Sequence, residues 1–172
     1  MQYTIYGAFG FCPDCGAHNS LQIANANLDL VVRTLDLAKT APPDVAAKLV
    51  ENALEDAVSC FDGFGREHCS ALPYKISFQN IEGARDRLLK ESAPDIAAGL
   101  DLARWRFVCA QFQKRHLLAH KMGIIDAEFI ARTGASPSLL GRKVSISEQE
   151  VRALVADLRQ IANTLYRGIH RP

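Results

Sequence analysis

Several things are scarce in this 172-residue chain. It lacks a strong charge of either sign: 20 Lys and Arg face 19 Asp and Glu, a net charge of +1. A protein that holds nucleic acid by bulk attraction is thereby excluded, and any contact with a polyanion has to come from a local patch. It also lacks an apolar run long enough to cross a bilayer, so no membrane role is expected. Met1 to Phe11 has neither a basic start nor a long apolar stretch, so it does not read as a secretory signal. Five cysteines, an odd number without such a signal, fit a reducing cytoplasm better than a disulfide framework. There is no internal repeat, no low-complexity segment and no dominant strand pattern. Gly83 and Gly99 match no phosphate-cradling loop.

What is present is helical periodicity. At 48% hydrophobic and 23% charged, the composition is that of an ordinary globular protein with enough chain for a core. Leu21, Ala24, Leu28, Val31, Leu35 and Ala38 recur in steps of three and four, one face of a helix opening at Ser20. Ala41-Pro42-Pro43 stops it, and Pro43 with Asp44 can start the next. That second helix carries Ala46, Leu49, Ala53, Ala57 and Phe61 or Cys60, and is expected to end at Asp62-Gly63-Phe64-Gly65. Residues 66–79 read as irregular, with Tyr74 to Phe78 a candidate strand. A modest helix spans Ile81 to Glu91. Ser92-Ala93-Pro94-Asp95 reads as the start of a long helix that continues to Gly123. A loop with Gly134, Pro137 and Gly141 follows, then an extended piece from Lys143 to Ile146. Ser147-Glu148-Gln149-Glu150 forms a capping box for a last helix with Val151, Leu154, Leu158, Ile161 and Leu165 inside. The expected fold class is all-α: an antiparallel four- or five-helix bundle over residues 19–172, with a short Cys-x2-Cys knuckle in residues 1–18.

The chemistry concentrates in Gln113-Lys114-Arg115-His116-Leu117-Leu118-Ala119-His120-Lys121-Met122-Gly123. Histidine titrates nearest physiological pH and suits proton transfer. Arginine grips phosphate or carboxylate through its planar fork. At ~100° per residue, His116 and His120 lie about 40° apart, whereas Arg115 and His120 lie about 140° apart and do not stack. Phe112 one turn earlier and Ala119 nearby put both histidines on the continuation of an apolar stripe. Arg104, Arg106, Lys114, Arg115 and Lys121 are basic, and no acid occurs between Asp101 and Asp126, so a phosphate-bearing ligand is drawn there. The competing reading is structural: hydrogen-bonded histidines and a solvated Lys-Arg pair. His116 and His120 also have the spacing of a zinc pair. Leu117, not Glu, follows His116, so the H-E-x-x-H of a peptidase is missing.

Arg115-x4-His120, with polar His116 after the Arg and Gly123 as the stop, resembles the signature of the HEPN superfamily. The likeness extends over residues 20–168, with residues 115–123 as its diagnostic part. It implies a helical bundle and, in many members, a metal-independent endoribonuclease whose site forms where two protomers meet. Arg115, His116 and His120 are then the catalytic candidates. Lys114 and Lys121 are the substrate-binding ones. The partners implied are a second copy, RNA or a nucleotide, and an antitoxin or nucleotidyltransferase-type protein, in a toxin–antitoxin, defence or stress setting. Other bundles of this type are non-catalytic modules that bind a nucleotide, nucleic acid or protein.

Cys12-Pro13-Asp14-Cys15-Gly16 looks like half of a zinc ribbon, since its turn lets two thiolates reach one metal. A structural zinc needs two more ligands, for which His18, Cys60, His68 and Cys69 are candidates, unless they lay upstream in a longer parent chain. A metal-free knuckle and a redox Cys-x-x-Cys remain the other readings. Cys109 is read as core, and Trp105 as a core or dimer-interface anchor. Asn52, Asp56 and Ser59 form a solvated stripe or a set of supporting groups near the Arg-His site.

Overall fold

The first helix, α1 (Ser20–Ala38), forms where the three-four periodicity requires it. Ala24, Leu28, Val31, Leu35 and Ala38 are buried, and Ser20 takes the first position of that inner face. The computed structural model describes residues 9–11 and 16–169. Within them lie α1, α2 (Pro43–His68), α3 (Ile81–Lys90), α4 (Leu102–Lys121), α5 (Ala127–Thr133), a 3-10 turn (Pro137–Leu139) and α6 (Glu148–Gly168). The only extended pairings among the described residues are single bridges, Phe11 with His18 and Ile124 with Lys143. The protein is all-α, as the periodicity demands.

Contacts between the helices fix their directions. Cys60 of α2 reaches the Ala24 carbonyl near the start of α1, so these helices form an antiparallel hairpin. Arg152 pairs with Asp36, and Arg159 with Asp29, so α6 runs against α1. Arg104 pairs with Asp157, and Lys114 with Glu150, so α4 runs against α6. Both α2 and α6 touch α1 and α4, and they share the interior. Phe61, at the middle of that interior, meets Phe78 and Phe112 edge-on at 5.7 and 6.4 Å.

Four boundaries depart from the expected ones. The helix α2 does not stop at Asp62-Gly63-Phe64-Gly65; it continues to His68. A helical glycine costs up to about 1 kcal/mol, but here its missing side chain has a use. The Phe78 ring lies directly on the backbone at Gly65, where a Cβ would collide with it. Asp62, buried one turn earlier, accepts the Phe78 amide at 2.8 Å and holds Arg66 at 3.1 Å and Gln79 at 3.4 Å. Residues 74–78 are accordingly not a strand: a side-chain carboxylate, not a neighbouring strand, satisfies the Phe78 amide.

The long helix starts at Leu102 instead of near Ser92. Asp101 is its cap, accepting the Arg104 amide at 2.8 Å. Asp95 is occupied elsewhere, accepting two bonds of 2.7 Å from Arg85 and one from the Ala97 amide. Gly123 does lie at the far end, at φ +76°, and its amide closes back on the Leu117 carbonyl at 2.9 Å. Part of the expected loop after Gly123 is the short helix α5, capped by Asp126 and stopped by Gly134 at φ +69°. Phe129 and Ile125 form a small second core there with Leu117 and Val144. The capping box of α6 is present in full between Ser147 and Glu150.

Gly65 and Gly63 make a controlled pair. Gly65→Ala is expected to lower unfolding free energy by about 1–3 kcal/mol, because the Phe78 ring has to move. Gly63 has open space at its Cβ position, so Gly63→Ala is expected to raise it by up to about 1 kcal/mol through helix propensity. Urea denaturation of both variants checks the contrast; equal effects would mean that the Phe78 contact does not constrain this turn.

Candidate functional site

The last two turns of α4 carry the candidate residues. Both histidine rings are exposed, one helical turn apart, with centroids 4.8 Å from each other and planes tilted by 51°. The expected apolar stripe therefore ends at Phe112, which is 3% exposed, and the two histidines continue it into solvent. The main reason is that α4 runs past the bundle interior at this end. Its last inward residue, Leu117, goes into the small second core with Ile125, Phe129 and Val144. Among the described residues neither ring has a hydrogen-bond partner, so the structural reading of a bonded core histidine does not describe them.

Arg115 is half-buried, and its Nε is enclosed without a hydrogen-bond partner. It makes no ion pair among the described residues. With Nε enclosed, an anion would meet this guanidinium through its terminal nitrogens. Lys121 is exposed and likewise without an acidic partner among the described residues. Lys114 differs. Its ammonium is 2.6 Å from Glu150 and 2.9 Å from the Ser145 carbonyl, and its side chain is only 15% exposed. To meet an anion it would first have to leave α6.

The acid-free stretch of sequence is not acid-free in space. Glu150 neutralises Lys114, and Asp157 holds Arg104 at 2.6 Å. Two more acids lie near His116. It lines a cavity of about 170 Å³ closed by the start of α3, by α4 and by α5, together with Glu82, Gln113, Glu128 and Arg132. Phe112 and Cys109 lie at the α4 wall. Burial pushes the Cys109 thiol up to about 12, so it is protonated and unreactive at neutral pH. Sequence reading missed Glu128 and Arg132 because α5 read as loop, and Glu82 because nothing local to the expected helix α3 ties it to α4. For α5, the Asp126 cap and Gly134 stop were the available signal.

The remaining candidates are dispersed. Asp56 and Ser59 line a groove beside α1 with Asn27, Thr34 and Cys60, away from the histidines. Trp105 is 8% exposed, with the Arg85 guanidinium 5.1 Å over its ring, which makes it core. Cys12 and Cys15 lie outside the described residues. Their flanks are described: Phe11 bridges His18, and the His18 carbonyl accepts the Tyr166 hydroxyl at 2.9 Å. His18 is buried 3.5 Å from Glu67, and its Nδ1 accepts the Ser20 amide. His68 meets the Ser20 hydroxyl at 3.4 Å and stacks on Phe64. Cys60 is separate: its thiol contacts the Ala24 carbonyl, and burial pushes it up to about 11. Among the described residues, no three His, Cys, Asp or Glu side chains are grouped closely enough to hold a metal ion.

Glu150 joins the site helix to α6. Burial alone would raise its pKa. The Lys114 ammonium and the Ser147 amide overcome that and hold it below its usual value of 4.5. Because the folded value is depressed, the pair stabilises above the unfolded value, and the gain is lost as pH falls through the folded one. Lys114→Met is expected to cost about 0.5–1 kcal/mol near neutral pH, a small figure because a third of Glu150 faces solvent. It is also expected to flatten the fall in stability below pH 4.5. Thermal unfolding of both proteins across pH 3 to 7 reads this; parallel curves would mean that the pair contributes nothing.

No protein-family model matches the chain, and no curated protein or solved structure matches it either.

Proposed function

We propose that the chain is a metal-independent endoribonuclease of the HEPN type, acting as a homodimer with Arg115, His116 and His120 in each site. One observation carries this reading: two exposed histidine rings 4.8 Å apart beside an arginine that makes no ion pair among the described residues, on the last turns of one helix. An antiparallel bundle with α4 at one side is the scaffold that such a site needs.

The residues suffice for transesterification. His120 takes the proton of the ribose 2′-hydroxyl, whose oxygen attacks the adjacent phosphorus. The bond from phosphorus to the 5′-oxygen breaks, and the second protomer's His120, entering as the imidazolium, gives a proton to that oxygen. The products are a 2′,3′-cyclic phosphate and a 5′-hydroxyl. Arg115 holds the phosphate and offsets the charge that develops on its oxygens. His116 orients the pair, and Lys121 contacts a flanking phosphate. Arg115 and His120 project in different directions from α4, so a second protomer's helix completes the set across a two-fold axis.

The Cys12-x2-Cys15 knuckle is assigned a structural zinc. His18 does not fit as its third ligand: with Nδ1 accepting the Ser20 amide, the neutral ring carries its proton on Nε2, toward Glu67. Cys60 belongs to the α1 side. His68 and Cys69, consecutive at the end of α2, remain. When bound, zinc would supply a tetrahedral cross-link between this segment and α2.

Purified protein is expected to cut single-stranded RNA without added metal ion. His120→Ala should slow cleavage by about 10²–10⁴-fold with the circular dichroism unchanged. Equal cleavage by the variant would remove the proposal. Salt-sensitive RNA binding that needs Arg115, without cleavage by the wild type, would instead make this a binding module. For the knuckle, one zinc per chain by elemental analysis is expected, lost in both Cys12→Ser and Cys69→Ser. Zinc that survives Cys69→Ser would remove that residue from the ligand set.

A further inference from the structure

The cavity beside His116 has a chemistry that cleavage alone does not use. At about 170 Å³ it is smaller than the roughly 300–1,000 Å³ of sites that take whole drug-sized ligands. It has room for one ring-sized fragment of a larger ligand. The α4 wall presents the Phe112 ring and the protonated Cys109 thiol, both apolar in character. The rim is polar. Arg132 lies between two carboxylates, 3.0 Å from Glu128 and 4.0 Å from Glu82. Gln113 adds an amide from α4, and Gln79 adds another from the segment before α3.

Arg132, Glu128 and Glu82 are all more than two-fifths exposed. Ion pairs at such exposure contribute little, so an incoming ligand exchanges them at small cost. The row therefore offers a flat polar ligand one guanidinium donor fork with a carboxylate acceptor on either side.

Among the bases of RNA, guanine fits this row. Its N1–H and exocyclic N2–H are two adjacent donors, matched by one carboxylate. Its O6 and N7 are adjacent acceptors, matched by an arginine fork. Adenine and cytosine each bring an amino donor beside ring acceptors, which a carboxylate repels. Uracil brings one donor between two carbonyls. Sequence-specific recognition of RNA generally takes unstacked single-stranded bases by their hydrogen-bonding edges.

We propose that this cavity is a guanine subsite, in which Glu82 or Glu128 takes the N1–H and N2–H edge and Arg132 takes O6. His116 lines the same cavity, so a base seated there has its own phosphate next to the histidine pair. The inference rests on the RNA-cleaving reading for the source of the base, but not for the chemistry of the cavity.

The test is equilibrium binding of four RNA pentamers, each a uridine or adenosine tract with a different central base and with 2′-O-methyl riboses that block cleavage, and of guanosine monophosphate alone. The guanine pentamer is expected to bind best by about tenfold. Glu82→Gln or Glu128→Gln should remove that preference while leaving the other pentamers within about twofold. Equal binding of all four pentamers, or a preference untouched in both variants, overturns the subsite. Carboxylate-dependent binding of the mononucleotide with no binding of any pentamer keeps the subsite and overturns the ribonuclease reading. Binding of none of these ligands overturns both.

Discussion

The buried carboxylate of Asp62 is the contact on which the site's geometry depends. It lies inside α2, where a charge is costly unless its bonds are made, and it makes them to a segment distant in sequence: the Phe78 amide and the Gln79 side chain, with Arg66 closing the set. Gly65 removes the side chain that would keep Phe78 away. Together they pin residues 78–79 to α2. From there Asn80 caps α3, accepting the Gly83 amide, and sets Ile81 and Glu82 facing α4. One wall of the His116 cavity is thus placed by a helix that contributes no residue to its lining.

The opposite side of α4 is held by charge. Arg104 and Lys114, nearly three turns apart on one helix by the ~3.6-residue period, reach acids on α6. Of the basic residues on this helix, that leaves Arg106, Arg115 and Lys121 without acidic partners among the described residues, the last two near its end. The electrostatic character of the region is therefore much narrower than its composition. A chain with near-zero net charge can still present a local cationic spot where neighbouring cations are paired across the bundle.

Much of the bundle was legible because helices advertise themselves by period and by caps. The faces of α1 and α6, the Pro43 start, the capping box at Ser147 and the stop at Gly123 all act locally, through backbone groups a few residues away. Where reading failed, the deciding partner lay far off. Asp62-Gly63-Phe64-Gly65 has the local chemistry of a terminator, and only Phe78 explains why it is helical. Asp95 looks like a cap until Arg85 takes it. The candidate site divides in the same way. The two histidines one turn apart follow from helical geometry, but their exposure depends on where α4 leaves the interior. That Lys114 is tethered, and that Glu82, Glu128 and Arg132 surround a cavity, depends on α3, α5 and α6, which no window of sequence around residue 115 contains.

The Arg85 guanidinium over Trp105 has a practical consequence. Trp105 is the only tryptophan in the chain, and it is buried where α3 meets α4, with a cation 5.1 Å above its ring. The intrinsic fluorescence of the protein is therefore a one-site reporter. Any event that parts these two helices, whether ligand entry, assembly or partial unfolding, changes the emission of a single fluorophore built into the seam, with no label required.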